Sequence, residues 1–324
     1  MAVATRIRSL SMGALTAAHP RQPLRLGRLG IEWTPNVHRD AMLLVGLIVG
    51  VAIATRGSFA PADVMTYWAA GTSDRLYPEH WQEVELGYLF YPPPVAQASA
   101  LLQPIGWSAF AILLTVATFW AMWFSVRTLA IPLLLLGVPH YLEIGPAEPA
   151  VFLDYALLGN LQWLLVAASL VAFRRPSLFA ALLLTKVATA VGWWWHPLRG
   201  DWPAASRPVI VTGAVMFASF VAAPELWFAF ARFVTGNYTT ADPPLPTFFV
   251  PIGIRLPTAI LLVFWGARTG RSWTIPVATG WALPAMYGMS FLLFWVAAAV
   301  AYRDGRLPNL PPMPPLFRRR AAAG

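Results

Sequence analysis

In a chain that is 58% hydrophobic and 11% charged, the few ionisable side chains stand out one by one. Asp63 opens the stretch DVMTYWAAG and lies four residues before Tyr67, so that in a helix the two share one face. Lys186 is the one lysine of the chain and sits mid-segment in apolar surroundings, where a charge is costly and therefore functional by default. Arg255 stands at the head of another apolar run. A carboxylate can take a proton, and the two cations can hold an anion. Each group also has an ordinary reading. Asp63 suits a helix N-cap or a solvated loop acid, and the two cations suit side chains snorkelling to a membrane interface. Other chemistries are excluded by composition. There is no cysteine, hence no disulfide, no thiolate nucleophile and no Cys-ligated metal. His19, His38, His80, His140 and His196 show no ligand spacing, so neither a metal nor a cofactor is expected.

The elements that must position these groups are membrane helices. Soluble domains carry roughly 25% charged residues, more than twice the share found here. Apolar windows at Ala41–Thr55, Ile105–Val126, Gln162–Phe173, Val209–Phe230 and Ile252–Ala267 approach or reach the length that crosses a hydrocarbon core of ~30 Å. Many of the sixteen tryptophans lie near the ends of these windows, as in the aromatic belts of a bilayer. A soluble protein with buried helices would need polar helix faces, and these are missing. The net charge of +9 does not mark a nucleic-acid partner. With a cytoplasmic N-terminus, 18 of the 22 arginines fall inside and only Arg56, Arg75, Arg232 and Arg255 outside, which is the positive-inside bias. No basic stripe interleaved with aromatics runs along the chain as a phosphate-tracking surface would.

That orientation orders the chain as a single domain. Residues 1–39 form a basic cytoplasmic segment, 40–302 the transmembrane domain, and 303–324 a Pro/Arg-rich cytoplasmic tail. The first 39 residues lack the long apolar run of a signal peptide, and helix 40–56 reads as uncleaved, anchored by Arg39 and Arg56. Residues 57–104 form the longest outer loop, in which Ala62–Ala70 and Val95–Leu102 are too short to span and lie in the interface. The YPPP run at 91–94 breaks the chain before the second of these, because proline lacks a donor and disfavours a helical residue before it. Further helices are predicted at 106–126, 128–142, 157–173, 208–230 and 248–267, with Asp154 capping the one at 157–173 or standing as a reserve acid. Residues 177–198, with Lys186 in the middle, fit one full span or two half-helices that dip in and return; the dip keeps Arg199 and Arg207 inside and is the expectation, while 273–302 suits two short helices. The fold class is all-α, a polytopic bundle of about eight to ten membrane helices, several of them short or broken.

The succession DVMTYWAAG, RLYP at 75–78, FYPPP at 90–94, GNLQWLL at 159–165 and TKVA at 185–188 resembles glycosyltransferase family 87 over residues 40–300. The resemblance implies a GT-C type fold in a bacterial plasma membrane and a mannosyltransferase that uses a polyprenyl-phosphate sugar donor and a glycolipid or glycan acceptor. It matches Asp63 to the catalytic base, Tyr67 to the aromatic after it, Tyr91-Pro92-Pro93 to a Tyr-Pro-Pro step and Lys186 to an intramembrane lysine. Asn160 and Gln162 fall on the family's amide step, with the two amides exchanged. Displacing a sugar from a lipid phosphate needs a base for the acceptor hydroxyl and positive charge where the phosphate leaves. Asp63 can supply the first, Lys186 and Arg255 the second. Asn160 and Gln162 can bond sugar hydroxyls or simply begin a helix. Trp68, Tyr77 and Tyr88 can stack on sugars or belong to the aromatic belt. Two other functional classes fit the same composition: a transporter or flippase of a lipid-linked substrate, and an inactive family member acting as a membrane partner.

Sidedness is directly testable in a chain without cysteine. Ser73→Cys should react with an impermeant thiol reagent on intact cells, and Ser177→Cys should not; the reverse pattern would invert the topology.

Overall fold

The computed structural model describes residues 24–26, 31–33, 35–56, 62–73, 76–78, 91–127, 130–131, 134, 161–172, 175–238, 250–282 and 292–303. Apart from a short antiparallel pair, β1 (Leu24–Leu26) with β2 (Ile31–Trp33), the regular structure among them is helical. Among the described residues four helices are long and apolar enough to cross a membrane: α1 (Pro35–Arg56), α4 (Trp107–Val126), α8 (Trp202–Ala222) and α10 (Ile252–Thr269). At 1.5 Å per residue, about 20 residues match a ~30 Å hydrocarbon core. Their outer faces carry exposed Leu44, Ile48, Leu113, Ile210, Phe217 and Leu261. In water such faces would be a liability. In lipid they are the solvent-facing surface of a helical membrane protein.

The first pair sets the frame. Gly46 and Gly50 lie one turn apart on α1. A Cβ at Gly46 would stand 2.9 Å from the Phe119 Cβ, and one at Gly50 2.9 Å from the Ile112 Cα. The missing side chains let the two backbones touch, which is how helices associate where lipid removes the hydrophobic incentive. The Trp107 indole donates to the Ala54 carbonyl at 3.2 Å, so partners fall along α4 as they rise along α1. The pair is antiparallel.

Two cores divide the length of this pair. At one end Ile53, Val64, Tyr67, Tyr91, Ala96, Phe110 and Ala111 pack together. They join α1 and α4 to α2 (Ala62–Ala69) and α3 (Pro93–Leu102). Towards the other end Met42, Phe119, Trp123, Val126, Trp163, Val166, Val296 and Val300 pack with Trp273 against them. They add α5 (Gln162–Ala172) and α12 (Leu292–Arg303), while Trp273 precedes α11 (Thr274–Trp281).

The cationic residues sort by these ends. Arg127 closes α4 with its guanidinium 4.8 Å from the Trp123 and Phe124 rings. Arg268 and Arg271 close α10, 5.0 Å over Phe264 and 4.5 Å over Trp265. The chain then enters the core that holds Met42 and Trp123 through Trp273. α8 runs the other way: Gln97 of α3 donates to the Ser219 carbonyl at 3.1 Å, leaving Arg199 at its far end, 5.6 Å over Trp195. The bundle thus has a tyrosine end and an arginine end.

Several boundaries differ from the sequence expectation, each for a local reason. α1 begins at Pro35 rather than 40, since proline suits the first helical position. The single helix expected at 208–230 is two. α8 starts earlier, where the Asp201 carboxylate accepts from the Ala204 amide at 3.2 Å, and stops at Ala223 because Pro224 comes next. α9 (Pro224–Tyr238) then begins afresh. The expected helices at 62–70 and 95–102 are present as α2 and α3, the latter starting at Pro93 after extended Pro92. Most of the helix expected at 128–142, and residues 157–160 of the next, lie outside the described residues, as do Asp154, Asn160 and Tyr88.

The α1–α4 contact makes an asymmetric prediction about glycines. Gly50→Ala should lower the thermal stability of the detergent-solubilised protein by about 1–3 kcal/mol, the range for overpacking. Gly213→Ala, inside α8 where a Cβ meets nothing within 4 Å, should leave the melting point the same or slightly higher.

Candidate functional site

The tyrosine end gathers groups from four separate stretches of chain. α2 supplies Asp63 and Tyr67 from one face, Asp63 in the first turn and half-buried. α2 is held hard against α3. A Cβ on Gly71 would lie 2.9 Å from backbone atoms of Ser99 and Ala100, and the Gln103 amide donates to the Trp68 carbonyl at 2.7 Å. The glycine that ends DVMTYWAAG is therefore required by close approach. Trp68 itself packs on Trp107 and Phe110, with centroids 5.9 and 5.3 Å away, in an aromatic packing role.

This docking brings Tyr67 to Tyr91. Their rings meet edge-on with centroids 5.9 Å apart, and their hydroxyl oxygens are 3.3 Å apart. Tyr91 is held from behind by Tyr77, whose hydroxyl donates to the Tyr91 carbonyl at 2.8 Å. The Tyr77 ring packs on Phe230 of α9 at 5.2 Å, so this tyrosine buttresses the site. Proline at 92 and 93 fixes the backbone on the C-terminal side of Tyr91.

Lys186 arrives from the arginine end. Residues 176–198 form a hairpin: a 3-10 turn (Pro176–Leu178) and α6 (Phe179–Leu183) make one limb, and a 3-10 segment (Val187–Trp194) with α7 (Trp195–Leu198) makes the other. The limbs are antiparallel, because Phe179 at the base of the first meets His196 at the base of the second, centroids 5.8 Å apart. Lys186, with extended backbone at φ −121°, is the tip, and its ammonium lies 5.5 Å from the centroid of the Tyr91 ring. The half-helices expected on either side of the lysine are thus present as limbs of one hairpin.

Electrostatics separate the roles these groups can play. Burial pushes the Tyr67 phenol well above its ordinary value, Tyr91 and the negative charge of Asp63 add to the rise, and the Leu161 amide opposes it. Tyr67 therefore stays protonated at any physiological pH, leaving the Asp63 carboxylate as the proton acceptor of this set. The Leu161 contact also brings the head of α5 to the site, a link that runs through a backbone amide and so leaves no trace in residue type. Gln162, next in sequence, is fully buried in the helix packing. Among the described residues no group of three or more His, Asp or Glu could hold a metal ion.

Arg255 has a different setting. It is 2% exposed, and its Nε donates to the Val250 carbonyl at 2.7 Å while an Nη donates to the Trp281 carbonyl at 3.3 Å. The Trp281 indole in turn donates to Thr258 Oγ1 at 2.7 Å. These bonds lock the head of α10 to the end of α11, in place of the exposed interface anchor that a snorkelling arginine would be.

The two roles open to Arg255 respond differently to one substitution. Arg255→Lys removes the planar fork that reaches two carbonyls and should cost about 2 kcal/mol of thermal stability, with little change in binding of a polyprenyl-phosphate sugar. A phosphate ligand would give the opposite, lost binding at unchanged stability.

No protein-family model, curated protein sequence or solved structure matches the chain. Its function has to be read from its own residues.

Proposed function

We propose that the protein is an integral membrane glycosyltransferase of GT-C type, similar to glycosyltransferase family 87, that moves a hexose, mannose by that resemblance, from a polyprenyl-phosphate donor to a glycolipid or glycan acceptor. The observation that carries this reading is the meeting of Tyr67, Tyr91 and Lys186 at one end of the bundle, with Asp63 beside Tyr67 on α2. These are four of the residues the resemblance singles out, and they come from stretches separated by up to 123 positions. Arg255 is dropped from the donor site on the strength of its carbonyl bonds.

In this reading Asp63 takes the proton of the acceptor hydroxyl as its oxygen attacks the anomeric carbon. The new glycosidic bond forms as the bond from that carbon to the phosphate oxygen breaks, with inversion. The phosphate departs with one more negative charge, and Lys186 offsets it where it develops. Water exclusion by the surrounding core strengthens that attraction. The arginine end, with Arg127, Arg199, Arg268 and Arg271 over interfacial aromatics, takes the cytoplasmic side by the positive-inside rule. Asp63 then faces outward, in a plasma membrane, with both termini inside.

The broken hairpin that presents Lys186 also favours a second reading, transport of a lipid-linked substrate, since transporters build midplane sites from discontinuous helices. One substitution separates the two. Asp63→Asn keeps shape and helix compatibility but cannot take a proton. A positioned base is worth roughly 10²–10⁴ in rate, so this variant should bind polyprenyl-phosphate mannose and melt as the wild type does, yet transfer radiolabelled mannose to membrane acceptors at least about a hundredfold more slowly. Transfer at the wild-type rate would make Asp63 a structural acid and sink the mechanism.

A further inference from the structure

Two contacts meet at Tyr91, and their geometries are unequal. Its hydroxyl lies 3.3 Å from that of Tyr67, long against the ~2.7–2.8 Å of a strong O–H···O bond. Its ring lies 5.5 Å from the Lys186 ammonium, within the ~6 Å over which a cation is drawn to an aromatic face. The ring thus faces a cation while the hydroxyl makes only a long contact.

The partners also differ in the number of side-chain torsions to be fixed. Tyr91 is 6% exposed, its carbonyl accepts from Tyr77, and Pro92 and Pro93 stiffen the backbone leading into α3. Lys186 is half-buried on a four-carbon stem, at a backbone break between hairpin limbs. Such a side chain has much rotamer entropy to lose. A rigid aromatic face beside it restricts where the charge can rest.

We propose that Tyr91 is a positioning residue whose ring seats the Lys186 ammonium, holding the cation at one place beside the face that carries Asp63 and Tyr67. Tyr91 then acts on an anionic substrate group through the lysine, without touching the sugar. The catalytic meaning rests on the proposed transferase reading, whereas the seat is a property of the folded chain alone.

The single lysine makes the seat measurable without activity. Purified protein is acylated with an amine reagent at fixed pH, and the rate at Lys186 is read by peptide mapping, apart from the N-terminal amine. Tyr91→Phe keeps the ring and should acylate at the wild-type rate. Tyr91→Leu should acylate roughly two- to thirtyfold faster, the range a cation–aromatic contact can impose. Binding of polyprenyl-phosphate mannose should show the same order: retained in Tyr91→Phe, weakened in Tyr91→Leu, and no weaker in the Tyr91→Leu, Lys186→Met double variant than in Lys186→Met alone. Unchanged acylation in Tyr91→Leu, or equal damage from Phe and Leu, overturns the proposal. If the leucine variant does not fold, Tyr91→pentafluorophenylalanine preserves ring shape while reversing its electrostatic face, and must itself speed acylation. A wild type that transfers no mannose would refute the transferase reading, and the acylation series would still decide the seat.

Discussion

The close contact of α1 with α4 is the constraint on which the remaining architecture depends. Lipid offers helices no hydrophobic reason to associate, so affinity comes from packing area and from how near two backbones can come. Gly46 and Gly50 remove the atoms that would hold α1 away from Phe119 and Ile112. Once the pair is antiparallel, α1 ends where α4 begins, and the interfacial helices α2 and α3 must dock on that shared end. The tyrosine pair exists because this docking leaves no space between them. A larger residue at Gly71 would part α2 from α3 and Tyr67 from Tyr91 with it.

A second constraint acts on the hairpin that carries Lys186. Irregular backbone inside a membrane survives where its polar groups find partners within the protein. At the break, the Thr185 hydroxyl donates back to the Ala181 carbonyl at 2.7 Å and to the Leu182 carbonyl at 3.2 Å. The Leu184 amide donates to the Ala180 carbonyl at 2.8 Å, and the Trp193 indole ties the returning limb to Ala205 of α8 at 2.8 Å. A straight helix over 176–198 would leave Lys186 in its middle instead of at a tip. The irregularity therefore determines where the charge ends up.

Charge in this chain is sorted by aromatic surfaces. At the arginine end, guanidinium groups lie over tryptophan and phenylalanine, most of them one turn back on the same helix. At the tyrosine end the same attraction acts between elements distant in sequence, Lys186 on Tyr91. The first kind anchors helix ends at an interface. The second brings a cation to a carboxylate-bearing face that it would not reach by sequence proximity. Arg255 fits neither pattern, since its donors go to backbone carbonyls that join two helices.

Composition and local pattern determined much on their own. Low charge and long apolar windows are properties of segments, and so α4 and α10 could be placed within a few residues. The proline run made the break before α3 legible, and the spacing of Asp63 and Tyr67 made their common face legible, because both depend on backbone geometry within a turn or two. The Gly46-x-x-x-Gly50 spacing takes its meaning only from the partner helix α4 that fills the space. Tertiary structure decided the rest. Whether 176–198 crosses or turns back depends on Phe179 meeting His196, and whether Arg255 faces a ligand or two carbonyls depends on where α11 ends. The meeting of Tyr67, Tyr91 and Lys186 requires three segments to pack at one place. Periodicity within one segment carries no information about its neighbour in space, because the energy that selects the neighbour belongs to the contact between them.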